Sequence, residues 1–233
     1  MKENYSPWGV KIADFEKQTT EVERLRFLLH FAVLAPSSHN SQPWAFKIEP
    51  NAILVFAESK RRLVKSDVND RQLYISLGCA VANIVVAADY YGYAARVEYL
   101  PDSTQELLAA RISFHLQQPN RASEHLIFSI LRRTNNRNKY ESRLPARSFL
   151  DEISRLSAID VRVDVLSGEQ KDAAADIAIE AGVAAMESAE FRSELSEYVK
   201  PNTTSSCVGM PAFGMDIPTP ISFLVPALIK RFN

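Results

Sequence analysis

The chain has 233 residues, 46% hydrophobic and 24% charged, the make-up of a globular protein that can bury its own core without a metal or disulfide staple. Lys and Arg total 27 against 28 Asp and Glu, a net charge of −1, which excludes the broad basic surface of a general nucleic-acid or membrane-surface binder. Cys79 and Cys207 lie in no CxxC or metal-ligand spacing, Met1 to Val10 lacks an apolar signal core, and Ile221 to Ile229 is too short for a bilayer and contains Pro226. The expectation is a soluble, cytoplasmic protein with reduced thiols.

In chain order, Thr20 and Glu23 form a capping-box pattern, and Val22, Leu25, Leu29 and Ala32 follow at helical spacing until Pro36 stops the helix. Trp44 to Ile48 and Ile53 to Ala57 read as strands joined by a turn at Pro50 and Asn51. From Gln72 to Tyr91 the apolar positions Leu73, Leu77, Ala80, Val81, Ile84, Val85 and Ala88 cover most of a helix, the pattern of a helix in the middle of a domain, and Gly92 ends it. Arg96 to Leu100 and Arg111 to Leu116 read as strands, and Gln117 to Ser123 as a polar connector. Helices are expected at Glu124 to Arg132, Arg147 to Ser157 and Glu169 to Tyr198, with a strand at Val161 to Leu166. After Lys200 the prolines 201, 211, 218, 220 and 226 mark a tail or lid laid over another surface. The fold class expected is α+β, a mostly antiparallel sheet flanked by helices.

Two segments carry chemistry. Ala35-Pro-Ser-Ser-His-Asn-Ser-Gln-Pro-Trp44 follows a helix and precedes a strand. Its neutral hydrogen-bonding side chains Ser37, Ser38, Asn40 and Gln42 are held between two prolines. Composition alone permits either a polar turn or a rigid surface for a heteroaromatic ring with several carbonyls. Downstream, Arg132-Arg-Thr-Asn-Asn-Arg137 offers guanidinium forks and a hydroxyl suited to a phosphate, or simply a solvated basic helix end. His39 beside two serines has no acid partner in view, and His30, His115 and His125 have no ligand spacing, so neither a hydrolase nor a metal site is read. Asp67, Asp70 and Arg71 read as a solvated helix start.

The first segment resembles the Pro-Ser-x-x-Asn-x-Gln-Pro-Trp signature of the nitroreductase family, matched here by Pro36, Ser37, Asn40, Gln42, Pro43 and Trp44. The second resembles that family's Arg-x-Ser/Thr-x-Lys/Arg phosphate motif: Arg132 and Thr134 correspond, the third position falls on Asn136, and Arg137 follows one place later. The loop precedes the basic motif, the reverse of the ordinary order. That resembles the Acg-type branch, in which two nitroreductase-like halves share one chain. Asn69-Asp70-Arg71, Ser76-Leu77-Gly78, Tyr99-Leu100-Pro101-Asp102 and Gly209-Met210-Pro211 extend the likeness.

The resemblance implies a first half over 1–120 with the flavin-ring loop, a second half over 121–200 with the phosphate motif, and a proline-rich lid or tail over 201–233. Acg-type proteins continue well past the position of Asn233, so the second half is expected to be incomplete. FMN is the implied cofactor, held by Pro36, Ser37, Ser38, Asn40, Gln42, Arg132, Thr134 and Arg137. The implied activity is hydride transfer from NAD(P)H through FMN to a nitroaromatic or quinone-like acceptor, with no side chain nominated as catalytic because the flavin carries the chemistry. The alternative is a flavin-sequestering protein without reductase turnover, in which the tail blocks the nicotinamide. A homodimer is expected, with the amphipathic stretch Ile221 to Phe232 suited to the contact.

Overall fold

A computed structural model of the chain describes residues 3–102, 104–135, 137, 139–157 and 161–231. After two 3-10 turns, Glu3–Gly9 and Ile12–Lys17, helix α1 spans Glu21–Ala32. Its start is the expected capping box. The Thr20 hydroxyl accepts from the Glu23 N–H at 3.2 Å and the Glu23 carboxylate accepts from the Thr20 N–H at 2.9 Å, so free amide groups at the helix start are satisfied reciprocally.

Strands β1 (Trp44–Glu49) and β2 (Ala52–Ala57) form a hairpin. Helix α2 spans Arg71–Tyr90, and β3 (Tyr93–Tyr99) and β4 (Leu108–Leu116) complete an antiparallel sheet of order β1-β2-β4-β3. Both of the last two strands begin three residues earlier than their apolar patterning suggests. The small residues Ala94, Ala95, Ala109 and Ala110 hide the strand signal, although the ladder Tyr93↔Leu116 to Tyr99↔Ala110 is continuous. Ile53, Val55, Ile112 and Phe114 are buried, and they join Leu25, Leu28 and Phe31 of α1 and Leu77, Val81 and Ile84 of α2 in one core. Phe15, from the second 3-10 turn, stacks on Tyr91 at 4.0 Å between ring centroids and closes this core at one end.

Helix α2 ends where predicted. Gly92 takes φ +86°, and a Cβ there would meet the Gln117 carbonyl at 2.9 Å, so the position requires glycine twice over. By length and composition α2 could also cross a membrane, but half of its most apolar window is buried in this core.

Beyond the sheet come α3 (Glu124–Arg132), α4 (Arg147–Ser154), α5 (Gly168–Glu187), α6 (Ala189–Tyr198), α7 (Thr219–Ser222) and α8 (Val225–Arg231). Of the strand expected at Val161 to Leu166, Val161 is a bridge residue and residues 162–166 form no strand; Arg162 pairs with Asp164 on the same segment. The helical region expected at Glu169 to Tyr198 is made of two helices. Ser188, extended at φ −72° and ψ 119°, ends α5 and caps α6 by accepting from the Phe191 N–H at 3.2 Å. Arg192 reaches back to the carbonyls of Met186 at 2.6 Å and Glu187 at 2.9 Å, satisfying the open end of α5. The tail is partly structured, with β5 (Val199–Lys200) pairing in parallel with β6 (Met210–Pro211) before the two short helices.

Candidate functional site

The Pro36–Trp44 loop leaves α1 on a 3-10 turn at Ser38–Asn40. Three of its residues, His39, Asn40 and Gln42, adopt left-handed backbone with φ of 52°, 50° and 49°. Non-glycine residues in this region cost on the order of 1–3 kcal/mol each and persist where the surroundings over-determine them. Here the loop binds itself. The Asn40 N–H donates to the Ser37 carbonyl at 3.0 Å, the Gln42 N–H to the Ser37 hydroxyl at 3.0 Å, and the Trp44 N–H to the Gln42 carbonyl at 2.9 Å. Ser38 donates to the Gln72 side chain at 3.3 Å, joining the loop to the first turn of α2. Asp67, not the helix-start residue Asp70, caps that turn, accepting from the N–H groups of Gln72 and Leu73 at 3.0 and 2.8 Å. Asp70 pairs instead with Arg62 at 2.8 Å.

Residues 207 and 209 of the tail bond to this loop. Asn40 donates its side-chain amide to the carbonyls of Cys207 (3.1 Å) and Gly209 (2.8 Å), and the Gly209 N–H returns a bond to the Asn40 carbonyl at 3.0 Å. The Gln42 amide also donates to the Cys207 carbonyl. The crossing is close. Gly209 has φ +99°, and a Cβ there would stand 2.6 Å from the Tyr198 carbonyl. His39 is gripped between Phe191 and Tyr198 of α6, ring centroids 6.4 and 5.8 Å away. Burial lowers its pKa, against the pull of Glu194 and with that of Arg137. Glu194 ties α6 to the segment after β2, accepting from the N–H groups of Lys65 (3.0 Å) and Ser66 (2.8 Å).

The basic segment reaches the chain just before this loop and the tail that crosses it. Arg133, half-buried, donates to the Leu34 carbonyl at 3.2 Å and to the Asn135 side chain at 2.8 Å. Burial lowers its pKa, partly offset by the nearby Cys79, whose thiol burial pushes up; a guanidinium nevertheless stays charged. Arg137 reaches the Met210 sulfur at 3.7 Å, next to the strap residue Gly209. Arg132 and Thr134 are exposed, and the Arg132 guanidinium lies 5.8 Å from the Phe128 ring. Asn136 lies outside the described residues.

Loop, strap, Arg133 and the first 3-10 turn enclose a cavity of about 170 Å³, lined among others by Asn4, Trp8, Leu34, Asn40, Gln42, Arg133, Cys207 and Phe213. Two buried polar atoms at its wall, Arg133 Nε and Asn4 Oδ1, have no hydrogen-bond partner among the described residues. Such orphans are expensive unless a ligand or water meets them. The cavity brings the neutral side-chain amides of Asn40 and Gln42 to one guanidinium, that of Arg133; Arg132, Thr134 and Arg137 are not among its lining residues. The cavity is smaller than the clefts of roughly 300–1,000 Å³ that hold drug-sized ligands. Arg133 belongs to the basic cluster but is not one of the positions that the family motif assigns to the phosphate. A phosphate motif counts positions along the chain, and only the turn at the end of α3 shows which neighbour faces inward.

No family model matches the chain. The Mycobacterium tuberculosis protein named "Putative NAD(P)H nitroreductase Rv3131" is 33% identical over 120 residues, covering 52% of this chain and 35% of its own length. Over that stretch the chain is similar to a protein so named, and the likeness covers about half of this chain. The M. tuberculosis protein named "Putative NAD(P)H nitroreductase acg" is 32% identical over 96 residues, 41% of this chain and 28% of its own length. A third relative from the same organism, named only as the uncharacterized protein Rv3127, is 29% identical over 153 residues, 60% of this chain and 42% of its own length. The match thus spans about a third of the length of the nitroreductase relatives.

Proposed function

We propose that this chain binds FMN between the Pro36–Trp44 loop and the Arg132–Arg137 segment and works as an NAD(P)H-dependent oxidoreductase on a nitroaromatic or quinone-like acceptor. The observation that carries the reading is convergence. Asn40 and Gln42, the amides of the loop, share one cavity with Arg133, which is far away in sequence and has an unmet donor. In this reading Pro36, Ser37 and Ser38 shape the loop and Asn40 and Gln42 address the ring. Arg132, Thr134 and Arg137, with Arg133 added, form the phosphate side. Bound flavin would supply hydride acceptance and release. The chain's own residues bind it, orient it and exclude water; none is assigned a proton to move.

The wider reading includes a second, related half from residue 121 onward, a cytoplasmic location and a homodimer. The last is supported by apolar side chains left exposed on α4, α5 and the segments beside them, among them Leu144, Phe149, Leu156, Ile177 and Val183. Free Cys79 and Cys207 suit a reducing compartment.

Titration with FMN, read by flavin fluorescence quenching, is the first test; absence of binding removes the proposal. Arg132→Ala and Arg133→Ala are then compared with FMN and with phosphate-free riboflavin. Loss of a charge-assisted contact lowers FMN affinity by about ten- to a hundred-fold and spares riboflavin. Equal loss of both ligands assigns the arginine to the fold.

A second reading has its own observation. The amides of Asn40 and Gln42 are already bonded to strap carbonyls, so the strap can enclose a bound flavin and bar the nicotinamide. Anaerobic stopped-flow mixing with NADPH and NADH separates the two: rapid bleaching supports turnover, and unresponsive bound flavin supports sequestration.

A further inference from the structure

We infer that Arg61 is a positioning residue for the ligand of the Pro36–Trp44 loop, acting through the main chain of Gln42; this rests on the reading of that loop as an FMN site. Arg61 closes the 3-10 turn Ser59–Arg61 that follows β2, and its N–H donates to the Glu58 carbonyl at 2.9 Å. The Glu58 N–H in turn donates to the Pro43 carbonyl at 3.0 Å, so the turn is fastened to the loop it faces. From this base the Arg61 guanidinium donates to the Gln42 carbonyl at 2.8 Å.

Gln42 is the last of the three left-handed residues, and its carbonyl also accepts from the Trp44 N–H. Fixing that oxygen from two sides fixes the peptide plane after Gln42. It therefore helps fix the Cα–Cβ bond from which the Gln42 side chain leaves the loop.

Beyond this bond, the charge of Arg61 is felt at Tyr198. Its neighbour Arg62 is matched by Asp70, and Arg111 by Glu49 at 2.9 Å, but no carboxylate pairs with the half-buried Arg61 among the described residues. A guanidinium kept from full solvation and aimed at one neutral carbonyl is a strong donor held at one place. Most other restraints on the loop are neutral bonds within it or bonds to the strap. The Arg61 bond does not depend on the strap, because its anchor belongs to the sheet side.

The test uses the whole chain with FMN as probe. Arg61→Gln is expected to weaken FMN binding by about ten-fold or more, with Arg61→Lys recovering most of the loss. The visible band of flavin bound to Arg61→Gln should also shift from that of the wild type. Effects of Arg61→Gln and Gln42→Ala should be non-additive, since both act on one amide. In the ligand-free protein, exchange of the Asn40, Ser41 and Gln42 amide hydrogens should accelerate in Arg61→Gln while the thermal midpoint changes little.

Unchanged amide exchange overturns the inference whatever happens to flavin. Unchanged FMN affinity with accelerated exchange overturns it too, leaving Arg61 a structural residue. Failure of the wild type to bind FMN overturns the functional reading of the loop, and the positioning role falls with it. A large drop in thermal midpoint in both variants assigns the effect to folding and also overturns it.

Discussion

Helices α2 and α5 are each twenty residues long and rich in apolar side chains, yet they live in opposite surroundings. Ile84 of α2 is fully buried, whereas Ile177 of α5 is 68% exposed and no residue of α5 is buried. The difference is in what flanks them. α2 sits between two antiparallel strand pairs and beside α1, so its neighbours in sequence return to cover it. α5 follows a segment that forms no strand over residues 162–166 and leads into α6, which packs mainly on α8 and also touches His39 of the Pro36–Trp44 loop. Side-chain size adds to this. Alanine offers little area, and at about 25 cal/mol per Å² a helix of alanines gains little by burial compared with Leu73, Leu77, Val81 and Ile84. An apolar helix is a core helix only when a second surface meets it.

Paired substitutions can break this contrast. Ile84→Ala should cost about 2–5 kcal/mol in urea unfolding through the cavity it leaves, and Ile177→Ala less than about 0.5 kcal/mol. An equal loss at Ile177 would mean that α5 is covered in solution. If light scattering coupled to size exclusion then showed a dimer that Ile177→Ala dissociates, the cover would be a second copy.

A smaller effect separates the helix starts. Thr20 caps α1 through its hydroxyl, while Ser167 at the start of α5 makes no side-chain cap bond. Thr20→Ala should lower stability by roughly 1 kcal/mol and Ser167→Ala by a few tenths at most. Comparable losses would show that Ser167 caps its helix after all.

The smallest effect is a change in acid sensitivity. Bonds from Thr20 and Thr19 hold the Glu23 carboxyl down to about 2, below its usual 4.5. The folded chain therefore takes up this proton later than the unfolded chain does. The stabilisation is complete above pH 4.5 and fades as pH falls toward 2. Glu23→Gln should flatten that part of a stability-versus-pH curve. A curve of unchanged slope would show that the capping box has little part in acid unfolding.

Local signals were legible in the sequence wherever the physics is local. The Thr20–Glu23 pair, the Gly92 stop and the Pro36–Trp44 turn each work within a few residues, and all stand where the pattern put them. The break at Ser188 was also local, a serine with Glu190 beyond it, but the alanine-rich runs on both sides masked the cap. Long-range contacts left no such mark. The bonds from Asn40 to residues 207 and 209 join positions more than 160 residues apart, and nothing in either segment names the other. The inward face of Arg133 was hidden for a related reason, since the end of α3 and the Leu34 carbonyl together decide which arginine turns in.

Gly209 has a consequence for the gene as well as for the fold. Its Cα hydrogen faces the Tyr198 carbonyl where a Cβ would be 2.6 Å away, and its φ of +99° excludes side chains independently. Every missense base change in a glycine codon adds a Cβ, so this codon has no silent-in-effect missense neighbour. In a saturation library selected for the folded, strap-closed protein, position 209 should retain glycine alone. The neighbouring Val208, exposed only in part and free of that contact, should accept a range of residues.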